Sequence, residues 1–278
     1  MKERYQDIEE KNEKLRDILD AQKDKGREFL DRYQMSWIYH DAALEGIVYA
    51  PVELQAALFP GTVAAEASMM PIILEIRNQR AAVDYIREEA RASGKKAAKI
   101  TQDQVKRIHD FISGNTPEAL AAKASIERRE KSEKELARER EKAGLRKDMP
   151  LHRTYFHDIA QPSKIQGLLE KMIDYTASSE FRELHPIHQA AYVQHQLIQV
   201  FPFTEHSGRV GRLLTNLILL RHNFLPCVVH SIDRQRYYEA FRGPVTAFRS
   251  VVMDAMENSL DNALKYYRDQ SRKYRAIN

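Results

Sequence analysis

The sequence predicts an all-α fold, and three features of its composition and patterning support this prediction. The chain has 278 residues but only ten Gly and ten Pro, so residues that interrupt helices are few. Apolar residues recur at helical spacing through most of the chain, and alternating strand patterns are almost absent. Hydrophobic residues make up 43% and charged residues 30%, as is typical of a globular protein with some exposed segments.

Charge and cysteine content exclude several classes of function. The net charge of +4 is too balanced to indicate nucleic-acid binding. The single Cys227 excludes an internal disulfide and a cysteine-based zinc cluster. The N-terminus is too dense in charge for a signal peptide, and no apolar run reaches membrane-spanning length. We therefore expect a cytoplasmic protein that does not enter a membrane.

The first elements are expected to be helices ahead of the main domain. Residues 1–34 predict one long amphipathic helix or two shorter ones, with a dimerising coiled coil as the alternative. Residues 36–48 predict a short helix, and Gly46 is a favourable residue just after its C-terminus. Glu45 would then lie at the helix end, where an anion is unfavourable unless a cation faces it.

The middle of the chain predicts two helices and an insertion. Residues 63–92 predict a long helix, and Thr101 caps a shorter one that ends at Gly114. Residues 117–143 alternate in charge sign at a spacing of four, which predicts an exposed helical insertion. A solvated helix is the simpler interpretation of this insertion, and a partner-binding arm is the alternative.

Residues 144–165 are the least helical part of the chain and predict either short strands or an ordinary surface loop. Helices are predicted again over residues 165–175 and from His185 towards residue 200. A last helix is expected over residues 245–267, whose apolar residues have core spacing.

One stretch, residues 200–213, combines a Pro-containing loop with the start of a further predicted helix. Ser207 is the expected N-cap of this helix, which we predict from Gly208 to Arg221. A loop that ends at a helix N-terminus presents unpaired N–H groups and the positive end of the helix dipole, which favours phosphate.

Charged residues surround this expected phosphate site. Arg209 and Arg212 stand three residues apart and share one helix face. Glu205 lies just before the turn, where a carboxylate can hold a Mg²⁺ ion that bridges phosphates. The stretch therefore predicts an anion site that carries positive charge on one side and a metal ligand on the other.

This stretch resembles the signature of the Fic (Fido) family, H-P-F-x-D/E-G-N-G-R-x-x-R. The matching residues are Pro202, Phe203, Glu205, Gly208, Arg209 and Arg212. Phe201 stands where the family has its catalytic His, and His206 and Ser207 stand where it has Gly and Asn. Family members usually transfer AMP from ATP to a protein hydroxyl, which the His deprotonates.

The resemblance implies ATP or a related nucleotide, together with Mg²⁺, as cofactors. It places Mg²⁺ on Glu205 and the nucleotide phosphates on the loop and arginines, namely His206, Ser207, Gly208, Arg209 and Arg212. Because Phe201 has no titratable group, the usual general base is missing. His206, with an ordinary pKa near 6.5, is the alternative base, although a lone loop His is more often a surface residue or a phosphate contact.

A second segment resembles the inhibitory helix of some Fic proteins, S/T-x-x-x-E-G/N. Glu45 and Gly46 match this pattern, while Asp41 replaces its Ser or Thr. In the family the Glu pairs with the second signature Arg and blocks the productive pose of ATP. The resemblance therefore implies a pair between Glu45 and Arg212.

Two further segments extend the resemblance to roughly residues 36–115 and 144–245. The run Thr154, Tyr155, Phe156 and His157 resembles the family's flap, a β-hairpin that binds a target protein by adding a strand. The segment that contains Tyr237 resembles the R-x-x-Y-Y-x-A helix, which lies near the nucleotide.

The implied architecture is a Fic-type helical core with a small β-hairpin flap, N-terminal helices and the charged insertion. We expect an N-terminal region over residues 1–96, the core over 97–248 and a C-terminal helix over 249–278. Two functions remain open: transfer of AMP or another phosphate-bearing group to a protein hydroxyl, held in check by Glu45, or a catalytically inactive module that binds a nucleotide or a protein. The sequence decides neither the target protein nor whether the chain forms a homo-oligomer.

Overall fold

The computed structural model describes residues 2–21, 23–62, 66–93, 99–127, 144–150 and 158–277. These residues contain helices and no β-strand, which confirms the all-α prediction. The α-helices in this part of the chain are α1 (Lys2–Ala21), α2 (Lys23–Leu44), α3 (Pro51–Leu58), α4 (Met70–Ser93), α5 (Gln102–Ser113), α6 (Pro117–Glu127), α7 (Ile165–Thr176), α8 (Ser179–Glu183), α9 (Pro186–Val200), α10 (Ser207–Arg221), α11 (Arg234–Glu239) and α12 (Val245–Ile277).

Helix α10, which follows the phosphate-type loop, lies at the centre of the fold. It packs against α9, α4, α5 and α2, and nearly all of its residues are buried. Gly211 allows the close approach of α9, because a Cβ at this position would lie 3.2 Å from the Gln194 side chain. A helix that is buried all round has its orientation fixed by its neighbours.

The N-terminal helices join the same core. Ile8 and Leu15 of α1 are buried in the main apolar cluster, where α1 packs against α12. The Asn12 side chain also donates to the Asn223 carbonyl at 3.0 Å and accepts from the Leu225 N–H at 3.0 Å. These bonds and contacts attach α1 to the body of the protein.

Helix α2 carries the predicted inhibitory segment as its last part. The prediction of a separate short helix over residues 36–48 was wrong, because α2 runs unbroken to Leu44. Trp37, the only tryptophan of the chain, lies on α2 and is 2% exposed. Gly46 has φ +89° and follows the helix end as predicted, and its N–H donates to the Ala43 carbonyl at 3.0 Å.

Two helix ends differ from the sequence prediction. The helix predicted over residues 63–92 begins only at Met70, because Pro71 lacks an N–H and suits only the first turn of a helix. Residues 63–65 lie outside the described part of the chain. The last helix continues to Ile277, ten residues beyond the predicted end, because no Gly or Pro interrupts it.

The flap and the insertion are described only in part. Residues 144–150 and 158–161 contain no strand, and residues 151–157, with the predicted flap residues Thr154, Tyr155, Phe156 and His157, lie outside the described residues. Of the charged insertion, α6 is described and residues 128–143 are not. Within the described residues, no helix combines the length and the apolar composition needed to cross a membrane.

Candidate anion site at the start of helix α10

The loop between α9 and α10 has a fixed shape although it contains no glycine. Phe201 and His206 both adopt left-handed backbone conformations, with φ of 49° and 67°. Such conformations cost a non-glycine residue about 1–2 kcal/mol each, so contacts must hold them. The Arg146 Nε donates to the Phe201 carbonyl at 2.7 Å, and the Arg146 backbone N–H donates to the Pro202 carbonyl at 2.8 Å.

Ser207 does not cap α10, and this expectation was wrong. His206 occupies the cap position, in the left-handed conformation and without a side-chain cap bond, while Ser207 is the first helical residue. The Ser207 hydroxyl donates to the Phe203 carbonyl and accepts from its N–H, both at 3.0 Å. The hydroxyl therefore closes the loop rather than facing the predicted phosphate site.

The Glu45 side chain lies directly against the first turn of α10. A Cβ added to Gly208 would clash with Glu45 Oε1 and would lie 3.2 Å from Arg212 Nη1. Gly208 is the second residue of the helix and is not enclosed within it, as the predicted anion site requires. The Glu45 carboxylate thus lies where the sequence predicts that phosphate binds.

Arg212 donates to two carboxylates at once. Its Nη2 donates to Glu45 Oε1 at 2.7 Å, which is the pair implied by the family resemblance. Its Nε donates to Asp41 Oδ1, and its Nη1 donates to the Tyr237 hydroxyl at 3.1 Å. Burial alone would raise the pKa of Glu45, but the positive charge and hydrogen bond of Arg212 outweigh it, so this pKa is lowered.

The Tyr237 hydroxyl helps to hold the Arg212 side chain in place. Its ring has no exposed surface, and its hydroxyl also accepts from Gln194 Nε2 at 2.7 Å. The residue therefore lies within reach of the candidate site, as predicted, but it holds the arginine and has no surface that faces an open cleft.

Arg209 is the least satisfied charged group of the site. Its side chain is 1% exposed, and its Nη1 donates to Glu75 Oε1 at 2.9 Å. Its Nε and Nη2 are buried and have no hydrogen-bond partner among the described residues. Buried donors without partners are costly, at about 1–3 kcal/mol each, so the arrangement suits an incoming oxyanion.

His206 is a histidine of this loop, whereas the Phe201 position has no group that can accept a proton. Phe201 is 8% exposed and offers no proton acceptor. Burial, followed by the positive charge of Arg209, lowers the pKa of His206, which therefore stays neutral at pH 7. The neighbouring His109 stacks on the Phe203 ring with 3.9 Å between ring centroids and lies 6.3 Å from the His206 ring.

Glu205 suits the predicted role as a magnesium ligand. It is an exposed carboxylate two residues before the first turn of α10. No group of three or more His, Cys, Asp or Glu in the described part of the chain is arranged to hold a metal ion. Mg²⁺ commonly takes one or two protein carboxylates and completes its shell with water and substrate phosphates, so one carboxylate is enough. A bound ion would neutralise phosphate charge at this end of the site.

Two acidic residues of the site were missed as site residues by the sequence prediction. Asp41 lies on α2 four residues before Glu45, which follows the helix end, and both side chains reach Arg212. That spacing was the available signal. Glu75 lies on α4 and was considered only as part of a resembling helix, because nothing in the sequence pairs it with Arg209, 134 residues away.

Comparisons with known proteins find similarity to one family. Residues 99–219 match the profile of the Fic/DOC family. Two similar proteins, each named protein adenylyltransferase Fic, come from Drosophila persimilis and Nematostella vectensis. They are 30% and 34% identical over 104 residues, or 36% of this chain. The match covers only 20% and 24% of their respective lengths.

Two solved structures share the fold over nearly the whole chain. A fragment of Fic-1 from C. elegans has a TM-score of 0.68 at 20% identity and covers 95% of this chain and 71% of that one. A Fic domain-containing signaling protein from Bacteroides thetaiotaomicron has a TM-score of 0.70 at 17% identity, with coverage of 94% and 97%. The loop before α10 lies inside the segment that matches the Fic/DOC family, and the two solved structures show that the chain has the fold of Fic proteins.

Proposed function

We propose that this protein binds the phosphates of ATP or a related nucleotide at the N-terminus of α10 and that Glu45 keeps this site closed. The position of the Glu45 carboxylate carries the proposal: it lies against Gly208 and accepts from Arg212. A carboxylate and a phosphate oxygen require the same donors, so the two compete. Withdrawal of Glu45 would release an Arg212 donor and the start of the helix together.

Arg209 supports the phosphate assignment independently of Glu45. The Arg209 side chain is 1% exposed, so water hardly reaches it, and two of its nitrogens have no hydrogen-bond partner among the described residues. Phosphate oxygens would satisfy these donors, and a Mg²⁺ ion on Glu205 would offset part of the ligand's charge.

Calorimetric titration with ATP and Mg²⁺ tests the proposal. We expect Glu45→Ala to bind ATP at least about tenfold more tightly than the unchanged protein, because the Glu45 carboxylate then no longer competes for Arg212 Nη2. Adding Arg212→Ala to Glu45→Ala should remove this gain. Glu28→Ala is the matched control, because Glu28 lies on the helix that precedes Glu45 and pairs with the exposed Arg32. An affinity that Glu45→Ala leaves unchanged would contradict the closed state.

Transfer of AMP to a protein hydroxyl is the second candidate function. The neutral His206 imidazole beside Arg209 favours it, as do the names of the relatives. In such a transfer the hydroxyl oxygen bonds to the α-phosphorus, the bond to pyrophosphate breaks, and His206 accepts the hydroxyl proton. A target protein would approach along the proposed flap, whose residues 154–157 lie outside the described residues.

Labelling with ATP radioactive at the α-phosphate, with Mg²⁺ present, separates transfer from binding alone. If His206 is the base, Glu45→Ala should label protein and the added His206→Ala should reduce the label about 10²–10⁴-fold. If the chain is a catalytically inactive module, neither variant gives label. Label that appears only when Phe201→His is added to Glu45→Ala would show that the site lacks nothing but its base.

A further inference from the structure

Arg212 has two acidic partners with different surroundings. The Glu45 side chain is 30% exposed, so solvent can reach it and a ligand can displace it. The Asp41 side chain is 2% exposed, and its Oδ2 also accepts from Gln79 Nε2 at 2.5 Å. In addition, the Asp41 carbonyl accepts from Arg212 Nη2 at 3.1 Å. Asp41 is therefore a fixed partner of Arg212, whereas Glu45 is an exchangeable one.

The fixed pair changes the charge that a ligand meets once Glu45 has moved away. Arg212 remains paired with Asp41, and Arg209 remains paired with Glu75. These four groups carry two positive and two negative charges, so both arginines still donate hydrogen bonds but offer little net charge. The family pattern has a neutral Ser or Thr in place of Asp41, so this negative charge is a feature of the present chain.

On the basis of the proposed function, we infer that Asp41 is a specificity-determining residue that makes this site discriminate against the charge of a polyphosphate. The repulsion between a fixed carboxylate and a ligand grows with the ligand's charge. A triphosphate carries about twice the negative charge of a monophosphate, so Asp41 weakens ATP binding more than AMP binding. The favoured ligand is a nucleotide with few phosphate charges, either a monophosphate or a nucleotide whose phosphates are esterified at both ends.

The charge on Arg212 agrees with a permanent pair. Burial would lower the pKa of Arg212, but the neighbouring Asp41 carboxylate outweighs burial and leaves this pKa well above its usual value. The arginine therefore remains an ion in the closed site. Because the pair is buried, salt screens it less than an exposed pair.

The test compares two proteins, Glu45→Ala and Glu45→Ala with Asp41→Asn added. Calorimetry measures the affinity of each for AMP and for ATP, both in the absence of Mg²⁺. Asparagine keeps the size of the side chain and an acceptor for Arg212 Nε. We expect Asp41→Asn to tighten ATP binding at least about tenfold and AMP binding only about threefold. Asp261→Asn is the control, because Asp261 pairs with Lys11 between α12 and α1 and should change neither affinity.

A second measurement does not depend on the Asp41 variant folding, which matters because loss of one partner from a buried pair is destabilising. In Glu45→Ala with Asp41 intact, AMP should bind at least as tightly as ATP without Mg²⁺. A clear preference for ATP there, or equal gains for both nucleotides in Asp41→Asn, would overturn the inference and leave the proposed function standing. If no variant binds either nucleotide, the proposed function is itself wrong, and the inference fails with it.

Discussion

Gly208 shows how one hydrogen atom in place of a methyl group leaves room for the Glu45 carboxylate. The Glu45 carboxylate occupies the space that a Cβ would fill. Helix α10 can accommodate alanine at this position, because Gly208 has an ordinary helical backbone. The constraint at Gly208 therefore comes from the neighbouring carboxylate and not from the backbone of its own helix.

This contact predicts a reversal of sign between two backgrounds. Gly208→Ala should lower the free energy of unfolding by about 1–3 kcal/mol, because the new methyl group clashes with Glu45. In the Glu45→Ala background the same change should be neutral or stabilising, since helices favour Ala over Gly. Urea unfolding of the unchanged protein, the two single variants and the double variant measures both effects.

Gly167→Ala is the control for this cycle, because Gly167 lies in α7 and a Cβ there meets no atom within 4 Å. It should stabilise the protein by roughly 0.4–1 kcal/mol in either background. An equal cost of Gly208→Ala with and without Glu45 would mean that the carboxylate does not occupy this space in solution.

Single residues also show the limits of the sequence. The Glu45–Arg212 pair was predicted from a resemblance and is present in the structure. The bond between Asp41 and Arg212 was not predicted, because the two residues are 171 positions apart and the family pattern has no acid there. Spacing along a helix reveals which residues share a face, but it does not reveal which distant residue that face will contact.

At the scale of structural elements, the conformation of the loop between α9 and α10 depends on the side chain of Arg146. Arg146 is 4% exposed and donates to the Phe201 carbonyl at 2.7 Å and to the Ala160 carbonyl. It also donates to the Asp148 carbonyl at 3.2 Å, so it joins both sides of the predicted flap to the end of α9. These bonds hold the left-handed conformation of Phe201.

Arg146→Met should therefore destabilise the protein by roughly 2–4 kcal/mol, because several buried carbonyls lose their donor. Thermal or urea unfolding measures this loss. The matched control is Arg32→Met, since Arg32 is exposed, pairs with Glu28 on the surface and lies 6.0 Å from the centre of the Tyr266 ring. Its loss should cost less than about 1 kcal/mol. If the two substitutions cost the same, the bonds of Arg146 do not hold the loop.

Helix ends were predicted well where a capping residue marks them. They were predicted less well where a proline inside a run of helical apolar spacing determines where the helix begins. The Thr101 cap and the helix end at Gly114 are both confirmed, and Gly114 has a positive φ of 68°. The start of α4 was placed too early because apolar spacing continues ahead of Met70, whereas Pro71 can occupy only a first turn. The start of α10 was misplaced by one residue. Ser207 was expected to cap the helix, but its hydroxyl bonds to Phe203, and the loop shape that allows this bond is not visible in the sequence.

For the whole molecule, the all-α class followed from composition and spacing, but the predicted boundary near residue 96 remains untested. Apolar residues from α1, α2 and the core all belong to one buried cluster. Burial shared across such a boundary predicts that the segments on both sides unfold together.

Leu15→Ala tests this cooperativity, because Leu15 lies on α1 and is 1% exposed. We expect a loss of roughly 2–5 kcal/mol and a lower midpoint for the whole protein in a single transition. Circular dichroism follows all helices, and fluorescence follows Trp37 on α2. Two separate transitions, with only the first shifted by the substitution, would show instead that the N-terminal helices form an independent unit.

The position of Trp37 has a practical consequence. It is the chain's sole tryptophan, lies four residues before Asp41 on α2 and is 2% exposed. Its emission therefore reports from the helix that bears Asp41 and leads into Glu45, without any attached dye. Rotation or withdrawal of α2 would bring water to the indole and shift its spectrum to the red, so this chain carries its own optical probe for a movement of Asp41.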